Sequence, residues 1–324
     1  MPNIKIVLRL NAMGDVLLSV PVLRALAAND TEVHLVINER WKDLADFLPA
    51  KIHTFNGAAS LIPLVKELKS LKPEAVFDLQ GKLSTIALRT LINAPITRVY
   101  HKRTLGEQLQ AIGHRFPLKL SDSRPVWQKY ADACGCSIEL PDASLNLDSD
   151  YVDECKQLLA EKGLKEKEFI LIHPEASKPG KAMTPELVAC LQKNSPLPTV
   201  IVGTGNMELK CEKPHLDLRN CFKLRSLPGI IKLAAAMISS DSGPMHLARA
   251  VDVPLAAVFF QTDPLLGFSP IPSDKTIVIS ENLPCKPCSL HGQNDTCPAG
   301  HFKCRQIDVA DISSKIFDFL KDKL

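Results

Sequence analysis

Five loops, one basic run and one cysteine group hold the residues whose types and spacing suit chemistry. Asp15 follows the turn Asn11-Ala12-Met13-Gly14 and opens an apolar helical pattern. A helix start keeps a carboxylate ionised. Such a group either caps the helix or serves as a general base, a role worth about 10²–10⁴-fold in rate. Further on, Ser239-Ser240-Asp241-Ser242-Gly243-Pro244-Met245-His246 sets a polar turn before a helix with proline in its first turn. Unpaired N–H groups there, added to the dipole, make an anion site. Ser242 adds a hydroxyl donor, and His246 is placed to reach a phosphate or ribose. The plainer alternative is a capped helix. The stretch 173–181 offers Lys178 and Lys181, point charges suited to a pyrophosphate. In Val202-Gly203-Thr204-Gly205-Asn206-Met207-Glu208, a glycine turn precedes a carboxylate able to take both hydroxyls of a ribose. Three such loops in one half, each after a strand, point to a nucleotide with a leaving diphosphate. Gly14 is the only glycine in the first turn, so the Gly-x-Gly-x-x-Gly dinucleotide fingerprint is absent. That counts against a nicotinamide oxidoreductase.

The other half supplies candidates for a second substrate. Asp78, Gln80 and Lys82 sit in Asp78-Leu79-Gln80-Gly81-Lys82 after an expected strand. The plain alternative is an ordinary turn. Between residues 98 and 119 the bases are Arg98, Lys102, Arg103, Arg115 and Lys119, against Glu107 alone. Such a run is a solvated face or a seat for an anionic acceptor, with Lys102 and Arg103 as candidate contacts. Cys285, Cys288, Cys297 and Cys304 are spaced C-x2-C-x8-C-x6-C. They suit a closed structural zinc site, free or redox-active thiols, or disulfides. Four protein ligands leave no open position, so a catalytic zinc is not expected. The cluster reads as a staple for the second half, apart from the chemistry. Cys134, Cys136, Cys155, Cys190, Cys211 and Cys221 read as small apolar packers.

The elements that must position these groups follow from periodicity. Short apolar runs at residues 4–10, 33–37, 52–55, 75–79 and 96–100 read as strands. Helical patterns at 15–28, 40–47, 61–71 and 84–91 separate them. The pattern fades at residues 141–150 and restarts with strands near 169–173, 199–202, 237–239 and 255–260. Alternation at this spacing means βαβ units and parallel sheets. The expected domains are 1–147, for the acceptor, and 148–324, for the nucleotide, with a cysteine-rich loop at 284–305 and a closing helix at 308–322. Ligands of such sheets bind at the carboxyl ends of the strands, so the two halves are expected to face each other across a cleft.

Composition agrees. The 324 residues are 45% apolar, enough for two cores, and 39 basic against 36 acidic residues leave +3. A generic polyanion binder is excluded on charge. An aromatic share of 5% argues against a base-stacking nucleic-acid surface. No run approaches the roughly 20 apolar residues of a membrane span, and the first residues do not read as a signal peptide. Sparse cysteines suit a reducing compartment.

These motifs carry a resemblance. Residues 9–16 (Arg-Leu-Asn-Ala-Met-Gly-Asp-Val), 78–82, 173–181 and 241–246 (Asp-Ser-Gly-Pro-Met-His) resemble those of the bacterial heptosyltransferase family, glycosyltransferase family nine, over nearly the whole chain. The resemblance implies the GT-B fold, two Rossmann-like domains, with the final helix returning to the N-terminal domain. It implies inverting transfer of heptose from ADP-heptose to the anionic inner core of Gram-negative lipopolysaccharide, with no catalytic metal. By position, Asp15 looks like the base. Lys181 looks like the pyrophosphate lysine and Glu208 the ribose ligand. Asp241, Ser242, Gly243 and His246 look like the diphosphate site, with Met13, Gly14, Thr204 and Lys178 as further donor contacts. Many relatives have tryptophan before the proline after this lysine. Here Thr184 precedes Pro185, which keeps Lys178 beside Lys181 as an alternative. A cytoplasmic enzyme, peripheral to the inner membrane and without nucleic acid, is implied. Two other readings remain open: a hexose or N-acetylhexosamine donor, and a non-catalytic zinc- and nucleotide-binding module.

Overall fold

The structure is a computed structural model that describes residues 3–28, 30–102, 105–113, 117–292 and 296–324. Arg103 and Arg115 of the basic run lie outside the described residues. The chain divides into two compact units, residues 1–104 with 124–146, and residues 105–123 with 147–324.

The first unit contains β1 (Asn3–Leu8), α1 (Met13–Leu17), α2 (Val20–Leu26), β2 (Thr31–Asn38), β3 (Lys51–Phe55), α3 (Ala58–Ser70), β4 (Ala75–Asp78), α4 (Leu83–Ile92) and β5 (Ile96–Val99). All its strands pair parallel, in the order β3-β2-β1-β4-β5. Ile6, Val7 and Leu8 are fully buried, as expected for the central strand of a parallel sheet covered on both faces. Leu64, Val65 and Leu68 of α3 fill the core on one side, while Ile62 on the same helix stays exposed. The expected single helix at 15–28 is two helices. Ser19 Oγ donates to the Val16 carbonyl at 2.6 Å, and Pro21 in the first turn of α2 has no N–H to continue the ladder.

After β5 come α5 (Leu105–Ile112) and α6 (Val126–Cys134). Residues 105–123 group with the second unit, where the Leu118 amide donates to the Pro287 carbonyl at 2.8 Å. The domain expected at 1–147 therefore loses this excursion. The second unit continues with α7 (Ser149–Ala160), β6 (Ile170–His173), α8 (Pro185–Asn194), β7 (Thr199–Ile201), β8 (Leu216–Asp217), α9 (Leu227–Leu233), β9 (Ala236–Ser240), α10 (Gly243–Ala250), β10 (Leu255–Phe259), β11 (Thr276–Ser280) and α11 (Val309–Leu320). Its parallel sheet has the order β11-β10-β9-β6-β7-β8.

One expectation is corrected here. The closing helix α11, expected to return to the N-terminal domain, packs within the second unit. Its Ile312, Ile316 and Leu320 recur every four residues on one face and lie buried with Leu187, Val188 and Leu191 of α8 in the second core. Among the described residues, no helix is long and apolar enough to cross a membrane.

Candidate active site

The loop after β1 puts Asp15 in the first turn of α1. Its Oδ2 accepts from the Ala12 amide at 3.1 Å and meets Arg9 Nη2 at 2.5 Å. Arg9 is 2% exposed, and its Nη1 donates to the Leu79 carbonyl at 2.5 Å. A charge this deep must be paired, and Asp15 pairs it. Burial by itself pushes the Asp15 pKa up. The positive charges of Arg9 and Lys102, with the Ala12 amide, outweigh burial and hold it below the ordinary value of 3.8. Asp15 is therefore ionised at neutral pH. The neighbouring loop after β4 is tied in: Gln80 Oε1 accepts from the Asn11 amide at 2.9 Å. Asn11 Oδ1 in turn accepts from Arg40 Nη2 at 2.5 Å.

In the second unit, the loops after β6, β7, β9 and β10 share one network. Lys181 Nζ lies 2.9 Å from Asp241 Oδ2, which also accepts from Thr262 Oγ1 at 2.6 Å. Ser242 precedes α10, and its hydroxyl makes no cap bond to that helix. It meets His173 Nδ1 at 3.1 Å instead. Burial pulls His173 down to about 4, so its ring is neutral at physiological pH. The first amides of α10 are thus not taken by their own N-cap side chain, as an anion site requires. Glu175 holds the glycine turn after β7. Its carboxylate accepts from the Gly205 and Met207 amides, each at 2.8 Å, and pairs with Arg219 at 3.1 Å. A Cβ at Gly205 would overlap that carboxylate.

Known proteins fit this geometry. The family profile for glycosyltransferase family 9 (heptosyltransferase) matches residues 62–297. The chain belongs to glycosyltransferase family 9, the heptosyltransferases. It is 26% identical over 286 residues to lipopolysaccharide heptosyltransferase 1 of Campylobacter coli, covering 79% of this chain and 83% of that one. A family 9 glycosyltransferase structure from Veillonella parvula superimposes with a TM-score of 0.76 at 18% identity, covering 99% of this chain and 98% of that one. The Escherichia coli ADP-heptose lipopolysaccharide heptosyltransferase II gives a TM-score of 0.71 at 15% identity, covering 99% of each. The fold is accordingly GT-B, with two Rossmann-like domains.

Met13, buried, and Gly14 flank Asp15 in α1. Thr204 and Glu208 are exposed on the turn after β7, Lys178 is half-buried, and Asp241 and His246 are buried. Lys82 is exposed at the start of α4, and Lys102 faces Asp15 electrostatically. Asp78 is corrected. It is fully buried, and its Oδ1 accepts from the Gln80 and Gly81 amides at 2.9 and 2.8 Å. Its other oxygen faces Arg89 at 3.6 Å. It shapes the turn through Oδ1, while Oδ2 is buried without a hydrogen-bond partner among the described residues. Arg103 lies outside the described residues.

The cysteine-rich loop reaches the loop after β6. Gly292, at φ +77°, abuts the stem of Lys181; a Cβ there would stand 2.7 Å from Lys181 Cγ and 3.4 Å from Lys178 Cβ. Gln261 clamps the loop from behind. Its Nε2 donates to the Thr296 carbonyl at 2.9 Å, and its amide donates to the Gly180 carbonyl at 3.2 Å. All ten thiols are free. Among the described residues, no three His, Cys, Asp or Glu side chains are placed to hold a metal. The zinc expectation for Cys285, Cys288, Cys297 and Cys304 does not fit this arrangement. Burial instead pushes Cys288 up to about 11. Burial also acts to raise Cys297, but the amides of Phe302, His301, Ala299 and Gly300 overcome it and lower its pKa. Of the six scattered cysteines, Cys134 and Cys155 are buried as packers should be, but Cys221 is exposed.

Gly292→Ala is expected to cost about 1–2 kcal/mol of stability from the left-handed backbone. It should also weaken nucleotide-sugar binding by displacing Lys181. A denaturant melt checks the first and calorimetric titration with a nucleotide sugar the second; unchanged affinity would separate the loop from the donor site.

Proposed function

We propose that this chain transfers heptose from ADP-heptose to an anionic inner-core acceptor of lipopolysaccharide, inverting the anomeric centre. Asp15 acts as the general base, Lys181 and the start of α10 receive the diphosphate, and Glu208 binds the ribose. Gln80, Lys82 and Lys102 lie on the acceptor's unit. The observation that carries the reading is Asp15 itself, kept ionised at a helix start although nearly buried. A carboxylate so held is free of its proton at neutral pH, and its service as a base rests on position rather than on basicity. Transfer needs a good leaving group, and Lys181 with the uncapped amides of α10 suits departing charge. Family membership supports the sugar class, and the relative from Campylobacter coli is named for lipopolysaccharide heptose transfer. We place the reaction at the cytoplasmic face of the inner membrane, where such an acceptor is assembled.

A panel of nucleotide sugars in thermal unfolding tests the donor. At a concentration about 100 times Kd, a true donor stabilises by about 2.7 kcal/mol. ADP-heptose is expected to give the largest shift. A larger shift with a hexose or N-acetylhexosamine nucleotide would replace it as donor.

A further inference from the structure

Asp15 has two oxygens in different surroundings. Oδ2 is engaged twice, by Arg9 Nη2 at 2.5 Å and by the Ala12 amide at 3.1 Å. Oδ1 faces one described hydrogen-bond donor, the hydroxyl of Tyr130 on α6, at 3.4 Å. Tyr130 is 0% exposed. Its ring lies 5.5 Å from the Arg9 guanidinium carbon and edge-on to Tyr100, with centroids 4.9 Å apart. Packing therefore fixes where its hydroxyl stands. A buried tyrosine hydroxyl needs a partner, and Oδ1 is the one this geometry offers. The 3.4 Å separation is long for an O–H···O bond, as catalytic contacts often are before substrate arrives. The Asp15 side chain keeps 13% of its surface open. A carboxylate oxygen accepts two hydrogen bonds, so among the described residues Oδ2 is filled while one position on Oδ1 is not taken.

We infer that Arg9 and Tyr130 divide the two oxygens of Asp15, so that Oδ2 is the anchor, Oδ1 is the oxygen that takes the acceptor's proton, and Tyr130 is the positioning residue that aims it. This rests on the reading of Asp15 as the base. The acceptor O–H bond breaks and its proton goes to Oδ1. The freed electron pair forms the bond to the anomeric carbon, and the bond from that carbon to the diphosphate oxygen breaks, its electron pair leaving with the nucleotide. Arg9 gives this base a second property. A protonated Asp15 leaves Arg9 buried without its counter-charge, which favours prompt loss of the proton after transfer. Among the described residues, the ionisable groups facing Asp15 are Arg9 just after β1, Lys102 after β5 and Tyr130 on α6, with Tyr100 packed against Tyr130.

Steady-state kinetics with ADP-heptose and a defined core acceptor test this, using Tyr130→Phe, Arg9→Lys and Asp15→Asn. Tyr130→Phe is expected to lower kcat about ten- to a hundredfold, because the base is no longer aimed, with donor KM unchanged. The acid limb of its kcat/KM profile should rise, since a donor to the ionised carboxylate is gone. A purely structural role would lower the melting temperature and leave that limb in place. Wild-type kcat with an unmoved acid limb overturns the inference. Should Tyr130→Phe not fold, Arg9→Lys reads the same arrangement. It keeps the charge but loses the fork that joins Oδ2 to the Leu79 carbonyl, so kcat should fall while the acid limb moves little; a wild-type kcat there also overturns it. Asp15→Asn separates the two levels. An active Asp15→Asn removes the base itself, whereas an inactive Asp15→Asn beside a fully active Tyr130→Phe removes only the positioning role.

Discussion

Asp15→Asn is expected to lower turnover by about 10²–10⁴-fold, the usual contribution of a positioned base. Asparagine has nearly the same shape and still offers Oδ1, but it cannot take a proton. Donor affinity should stay near the wild-type value, because the proposed donor contacts of the second unit are untouched. Stability should fall as well. The substitution leaves Arg9 buried without its counter-charge, and losing one partner of a buried pair costs about 3–5 kcal/mol. Denaturant melts measured beside the kinetics distinguish the two losses. The pH dependence has a definite sign. The folded pKa of Asp15 is lowered, so its contribution to stability is complete above the ordinary value of 3.8 and is lost as pH falls through the lower folded value. Activity limited by this base should accordingly be flat from mild acid to neutral pH.

Lys181→Met is the second large effect. Methionine keeps much of the stem that packs on Gly292 but removes the charge. Loss of a fixed charge that stabilises a departing diphosphate lowers kcat/KM by about 10²–10³-fold. The same change strips Asp241 of its ion pair and leaves Thr262 to satisfy that buried oxygen. Lys178→Met is the matching control. Among the described residues, Lys178 has no comparable carboxylate partner holding it in place, and its loss should change kcat/KM only severalfold, an effect of about 1 kcal/mol. Equal losses in both variants would show that the two lysines share the diphosphate, and would cost Lys181 its special place.

The parts of this arrangement that were legible in the sequence are local ones. A strand, a polar turn and a helix start follow one another within about a dozen residues, so Asp15, Asp241, Ser242 and the lysine loop could be found from pattern alone. Arg9 carried a signal as well: a charge at the end of an apolar strand has to be paired. Tyr130 carried none, because its contact with Asp15 spans 115 positions along the chain. The approach of the cysteine loop to Lys181 carried none for the same reason, since nothing in its spacing announces that Gly292 rests on that side chain. Asp78 shows a different limit. The same carboxylate type after a strand can serve a ligand or hold its own turn, and only burial decides between them. The helix α11 was assigned to the wrong core because its apolar stripe specifies that it must be buried, not against which sheet.

The most direct measurement is mass spectrometry of a defined deacylated lipopolysaccharide core acceptor after incubation with ADP-heptose and the purified protein. The proposed function predicts an acceptor heavier by one heptose residue, stoichiometric release of ADP, and neither product with Asp15→Asn. ADP released with no gain in acceptor mass, or full transfer by Asp15→Asn, would contradict it.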